Sequence, residues 1–80
     1  MAERPNDFRK DVKHALAELE QVTDEIRVKL HLAGMDARDL WTKLEPKLFE
    51  AHLQAREATA ASKAAIEGTV RAFRDFAQSL

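Results

Sequence analysis

Gly34 to Leu48 reads GMDARDLWTKLEPKL, and two residues of this stretch decide which fold the rest of the chain can take. Gly34 suits the left-handed residue that ends a helix. Asp36, with a second carboxylate at Asp39, then reads as the cap of a new helix carrying Leu40, Trp41 and Leu44. Pro46 meets that helix ten residues on. Inside a helix a proline removes a backbone hydrogen bond and clashes with the preceding turn, costing about 3 kcal/mol unless the helix kinks or restarts. The glycine and the proline therefore divide a single helical domain, 1–80, into an arm over 7–33, a tip and short helix over 34–45, and an arm over 47–79.

Working outward, Phe8, Val12, Ala15, Leu19, Val22, Ile26 and Ala33 fall on one stripe of the first arm, with Leu16 and Leu30 widening it. Asn6 or Asp7, after Pro5, is placed to cap its start. In the last arm the inner stripe runs Leu48, Ala51 or His52, Ala55, Ala58 or Thr59, Ser62, Ile66, Thr69 or Val70, Phe73, Phe76 or Ala77, and Leu80. Its first half is small and its far end bulky. Packed antiparallel in a register where residue numbers sum to about 81, the arms set Leu19 against Ser62, Ile26 against Ala55 and Phe8 against Phe73, large opposing small along the middle. If the second helix continued through Pro46 with only a kink, the numbers would sum to about 70, and Ile66 to Leu80 would overhang the first arm and demand a partner.

Composition agrees with an all-α class. The 80 residues (9.1 kDa) include two Gly, two Pro, no Tyr and no Cys, with 34% charged. Disulfides and thiolate metal sites are thereby excluded. Hydrophobic residues make up 45%, but 14 of them are alanine, and a chain this short builds only a marginal core. A two-helix hairpin gives each helix one contact stripe, and Leu40, Trp41, Phe49, Leu53 and Phe76 do not all fit on it. The expected fold is an antiparallel helical hairpin, bent or broken near Pro46, that self-associates as a homodimeric four-helix bundle.

Thirteen basic residues against fourteen acidic ones give a net charge of −1. The signs are mixed in both halves, six basic and seven acidic over 1–33, seven and seven over 34–80. That balance argues against nucleic acid as a partner. The apolar runs are far shorter than the ~20 residues of a membrane span. No apolar signal segment opens the chain, so the expected location is cytoplasmic.

Chemistry finds little to work with. His14 lies between Asp11 and Glu18 on what reads as a polar face, where surface ion pairing is the ordinary outcome. The residues three before His31 and His52 are Val28 and Phe49, so the Glu-x-x-His pattern of helical metal sites is missing. Neither metal nor cofactor is expected. His31 and His52 would approach each other near the tip of the hairpin, and are candidates for a pH-sensitive cluster. Thr23, Thr42, Thr59 and Thr69 lack a base at a useful helical spacing, and no Gly-rich phosphate loop exists, so no catalytic residues are expected. Trp41 either closes the tip over Leu30, Leu44 and Met35 or anchors an interface. With Phe49, Phe73, Phe76 and Leu80 it makes up the candidate interaction set.

The segment Glu25 to Leu48, EIRVKLHLAGMDARDLWTKLEPKL, resembles stretches of small uncharacterised bacterial helical proteins of coiled-coil, apolipoprotein-like character. The resemblance implies a stand-alone helical accessory protein, and no activity, cofactor or catalytic residue comes with it. The expected function is a non-catalytic interaction module, a small scaffold or adaptor acting as a homodimer or on another helical protein. The second reading is an amphipathic protein of membrane or lipid surfaces, its last arm offering Lys63, Arg71 and Arg74 against the opposing Glu67 and Asp75.

Overall fold

The computed structural model describes residues 8–80, and these form three helices: α1 (Arg9–Leu30), α2 (Met35–Ala55) and α3 (Ala60–Ser79). The caps expected at Asn6 or Asp7 lie outside the described residues. All three helices carry a seam at steps of three and four, alternating on α1 and α2. On α1 it is Val12, Ala15, Leu19, Val22 and Ile26, each 5% exposed or less. On α2 it runs Ala37, Trp41, Leu44, Leu48, Ala51, Ala55, and on α3 Ser62, Ile66, Val70, Phe73, Phe76 with Ala77. Three stripes of this width close on one another and shield a core that two could not.

Where the chain turns corrects the two-arm expectation. Helix α2 runs on through Pro46 and ends only at Ala55. Pro46 stands on the exposed side of the helix, while the seam residues on both sides of it keep their spacing and pack on the same core. The contacts on either side hold the helix together across the missing hydrogen bond. The break falls instead at residues 56–59. Ala58 takes a left-handed conformation (φ 49°), and Thr59 then caps α3. The Thr59 hydroxyl accepts from the Ser62 backbone N–H at 3.1 Å, and the Ser62 hydroxyl accepts from the Thr59 N–H at 2.7 Å.

Two turns make the bundle up, down and up, so α1 and α3 run parallel. Glu18 pairs with Arg74, and the Lys29 ammonium, further along α1, donates to the Ala77 carbonyl, further along α3, at 3.1 Å. Helix α2 is antiparallel to α1, with Arg27–Glu45 at 3.8 Å and Glu20–His52 at 3.4 Å, both summing to 72. The expected antiparallel match of Leu19 with Ser62 and Phe8 with Phe73 is therefore replaced. So is the two-helix hairpin from which a four-helix dimer was to be assembled. The register near 70 describes α1 with α2, and the apolar end that would have overhung folds back as α3.

The first turn also differs. Gly34 has φ −79° and ψ −179°, an extended rather than left-handed conformation, and it is the N-cap of α2. Asp36 therefore lies in the first turn of the helix, where a carboxylate suits the helix dipole, and is not its cap. Among the described residues the two buried polar ones are satisfied internally: the Thr23 hydroxyl donates to the Leu19 carbonyl at 2.8 Å and the Ser62 hydroxyl to the Thr59 carbonyl at 2.9 Å. Among the described residues no helix is long and apolar enough to cross a membrane.

Candidate functional site

Helix α2 has two apolar faces. The inward one is held at its start by Trp41, 7% exposed, whose ring meets Phe73 edge-on at 5.2 Å and stacks with Phe76 at 6.1 Å. Phe73 is fully enclosed and Phe76 is 7% exposed. Three of the five candidate interaction residues are thus core. The third helix gives them an aromatic cluster of their own, worth more than area alone because edge-on and stacked rings attract. Trp41 does line a groove with Leu30, but Met35 stands exposed instead of beneath it.

The outward face of α2 carries Met35, Thr42, Pro46, Phe49 and Leu53, at steps of seven, four, three and four. A helix advances 100° per residue, so these positions form one stripe on the side away from the core seam. Met35 is 75% exposed, Phe49 68% and Leu53 47%. Of the candidate set, Phe49 is the residue that faces solvent most fully, while Leu80, 37% exposed, follows the end of α3. Leu53 and Met35 were not in that set, although the spacing Phe49, Leu53 was readable as a second i, i+4 stripe.

Charged residues flank the stripe. On the side toward α1 are Arg38, Glu45 and His52, of which Glu45 and His52 already pair with Arg27 and Glu20. On the other side are Asp36, Lys43 and Glu50. Asp39 lies at the edge of the stripe near its start, and Arg56, in helical phase with Arg38, is the C-cap residue that follows its end. Among the described residues Asp39, Lys43, Glu50 and Arg56 enter no side-chain ion pair or hydrogen bond.

A second exposed apolar group gathers at the turn between α1 and α2, where Val28 is 68% and Leu32 92% exposed beside Met35. The apolar face of the last arm, on which the lipid-surface reading rested, is spent inside the bundle: Ile66 and Phe73 are wholly buried.

The histidines are dispersed. His52 pairs with Glu20, eleven residues before His31 on α1, or about 16 Å of helix at 1.5 Å per residue. His31 sits at the other end, as the C-cap of α1. The two were expected to meet because the hairpin register was set about ten residues too far along the chain. His14 is exposed on α1. Among the described residues no group of three or more His, Cys, Asp or Glu side chains could hold a metal ion. The surface grooves are shallow and lie along helix seams, such as the one lined by Gln21, Val22, Glu25, Arg74, Ala77 and Gln78. Comparison with protein-family models, curated protein sequences and solved structures finds no significant match.

Proposed function

We propose that this chain is a non-catalytic interaction module, a small scaffold or adaptor whose activity is binding, acting through self-association and through packing against a partner helix. The observation that carries the reading is the outward stripe of α2. A chain short of large apolar side chains leaves Met35, Phe49 and Leu53 in water while building its core substantially from alanine, valine and three aromatic rings. Apolar residues scattered singly over a surface need no explanation, but a stripe at heptad spacing on one helix is the pattern that docks another helix.

Self-association is also the economical way for 80 residues to gain buried area. The homodimer proposed here joins two three-helix chains. Sedimentation equilibrium at micromolar protein tests it: a mass near twice 9.1 kDa supports the reading, and a mass of 9.1 kDa refutes self-association.

A lipid-surface role has one observation in its favour, the exposed Val28, Leu32 and Met35 at the α1–α2 turn with Lys29 and Arg38 nearby. Co-sedimentation with anionic vesicles at low salt tests it, and loss of binding in Leu32→Asp would locate it at the turn.

A further inference from the structure

We infer that the partner of the α2 outward face is the same face of a second copy, packed antiparallel about a two-fold axis between Pro46 and Phe49, with facing residue numbers summing to about 95. The inference rests on the self-association reading and adds its surface, direction and register. Charge selects the arrangement. With α2 antiparallel to its copy, Pro46 meets Phe49 and Thr42 meets Leu53 along the centre, and Asp39 comes near Arg56, the C-cap residue, at both ends. On the flanks Lys43 faces Glu50, and Glu45 faces His52. Each contact occurs twice by symmetry, as an isologous interface requires.

The alternatives collect like charges. Parallel helices in register put Asp39 on Asp39 and Arg56 on Arg56, with Arg38 facing Lys43 and Glu45 facing Glu50 across the flanks. Sliding the antiparallel pair by one heptad sets Glu50 on Glu50 in one direction. In the other it sets Lys43 on Lys43 and Glu45 on Glu45. Arg56 and Glu57 both follow the end of α2 at Ala55, so the attractive pair Asp39–Arg56 and the like pair Asp36–Glu57 fall at the margins of the packed helices, and Lys43 with Glu50 is the pair that sets the register. Lys43 and Glu50, the pair this geometry uses most, have no side-chain partner within the described residues, as is true also of Asp36, Asp39, Lys47, Arg56 and Glu57 in this part of the chain. Opposed charges across an interface set register and direction more than they add affinity, which is the role they have here.

Charge reversal on exposed positions tests this without disturbing the core. Lys43→Glu and Glu50→Lys each turn two attractive pairs into repulsive ones and are expected to raise the dimer Kd about tenfold at low ionic strength. The double variant Lys43→Glu/Glu50→Lys restores the pairs with their signs exchanged and is expected to return to within about threefold of wild type. Circular dichroism melts at a concentration where every variant is monomeric verify that each fold is intact. A dimer indifferent to the single reversals, or not recovered by the double one, overturns the proposed face while leaving self-association standing. A wild-type chain that is monomeric throughout overturns both.

Discussion

Replacing Trp41 by alanine removes the side chain that ties α2 to α3. Trp41 is 7% exposed and its ring lies 5.2 Å from Phe73 and 6.1 Å from Phe76, so the truncation empties the aromatic cluster. Trp→Ala substitutions in cores cost about 3–5 kcal/mol, and each ring pair contributes roughly 0.5–1.5 kcal/mol of that beyond area. A domain of this length holds about 4–12 kcal/mol in all, so Trp41→Ala is expected to leave the bundle marginal or unfolded at 37 °C. Urea titration followed at 222 nm gives the loss, since the substitution also removes the only tryptophan, and repeating it at several protein concentrations separates folding from association. Phe49→Ala is the control: with 68% of its surface in solvent, it should cost the monomer less than about 0.5 kcal/mol. A loss below about 1 kcal/mol for Trp41→Ala, or an equal loss for both variants, would refute the placement of α3 over Trp41.

The other expectations concern the helix boundaries. Gly68 is inside α3 with open space where a Cβ would stand, so Gly68→Ala should stabilise by about 1 kcal/mol and raise Tm by roughly 4–8 °C; an unchanged melt would contradict a helical residue 68. Ala58 holds φ 49°, and Ala58→Gly should gain roughly 0.5 kcal/mol as relief of the left-handed strain outweighs the added chain entropy. Thr59→Ala removes the cap of α3 and should cost about 1 kcal/mol in the same titration, whereas a helix running unbroken through Thr59 would gain from the substitution.

Much of the secondary structure was legible because spacing carries it. The α1 seam of Val12, Ala15, Leu19, Val22 and Ile26 reads directly from steps of three and four, and the same steps mark α2 and α3. Pro46 misleads because local propensity and tertiary packing conflict there. The helix survives because its seam is continuous from Trp41 to Ala55 on the side opposite the proline. The turn that matters carries weak signals: Ala58 occupies a position where glycine or asparagine is the usual flag, and the capping box ends in Ser62 instead of Glu or Gln. Thr59 and Ser62 also fit the apolar spacing as small seam residues, so periodicity passes through them without a break. Missing that turn reverses the direction of the last helix, which explains why Phe73 and Phe76, already placed on its inner stripe, were left in the candidate interaction set when α2 covers them within the chain. Phe49 kept its place outside because its position on α2 depends on helical phase and not on how the helices are arranged.

Phe49 stands on the outward stripe of α2, the surface proposed for a second copy, next to the proposed two-fold axis. Sedimentation equilibrium of the wild-type chain and of Phe49→Glu, at micromolar protein and low ionic strength, tests this most directly. The expected masses are near twice 9.1 kDa for the wild-type chain and 9.1 kDa for Phe49→Glu, with the helical content of both chains the same. A wild-type mass of 9.1 kDa, or a Phe49→Glu chain that remains dimeric, would contradict it.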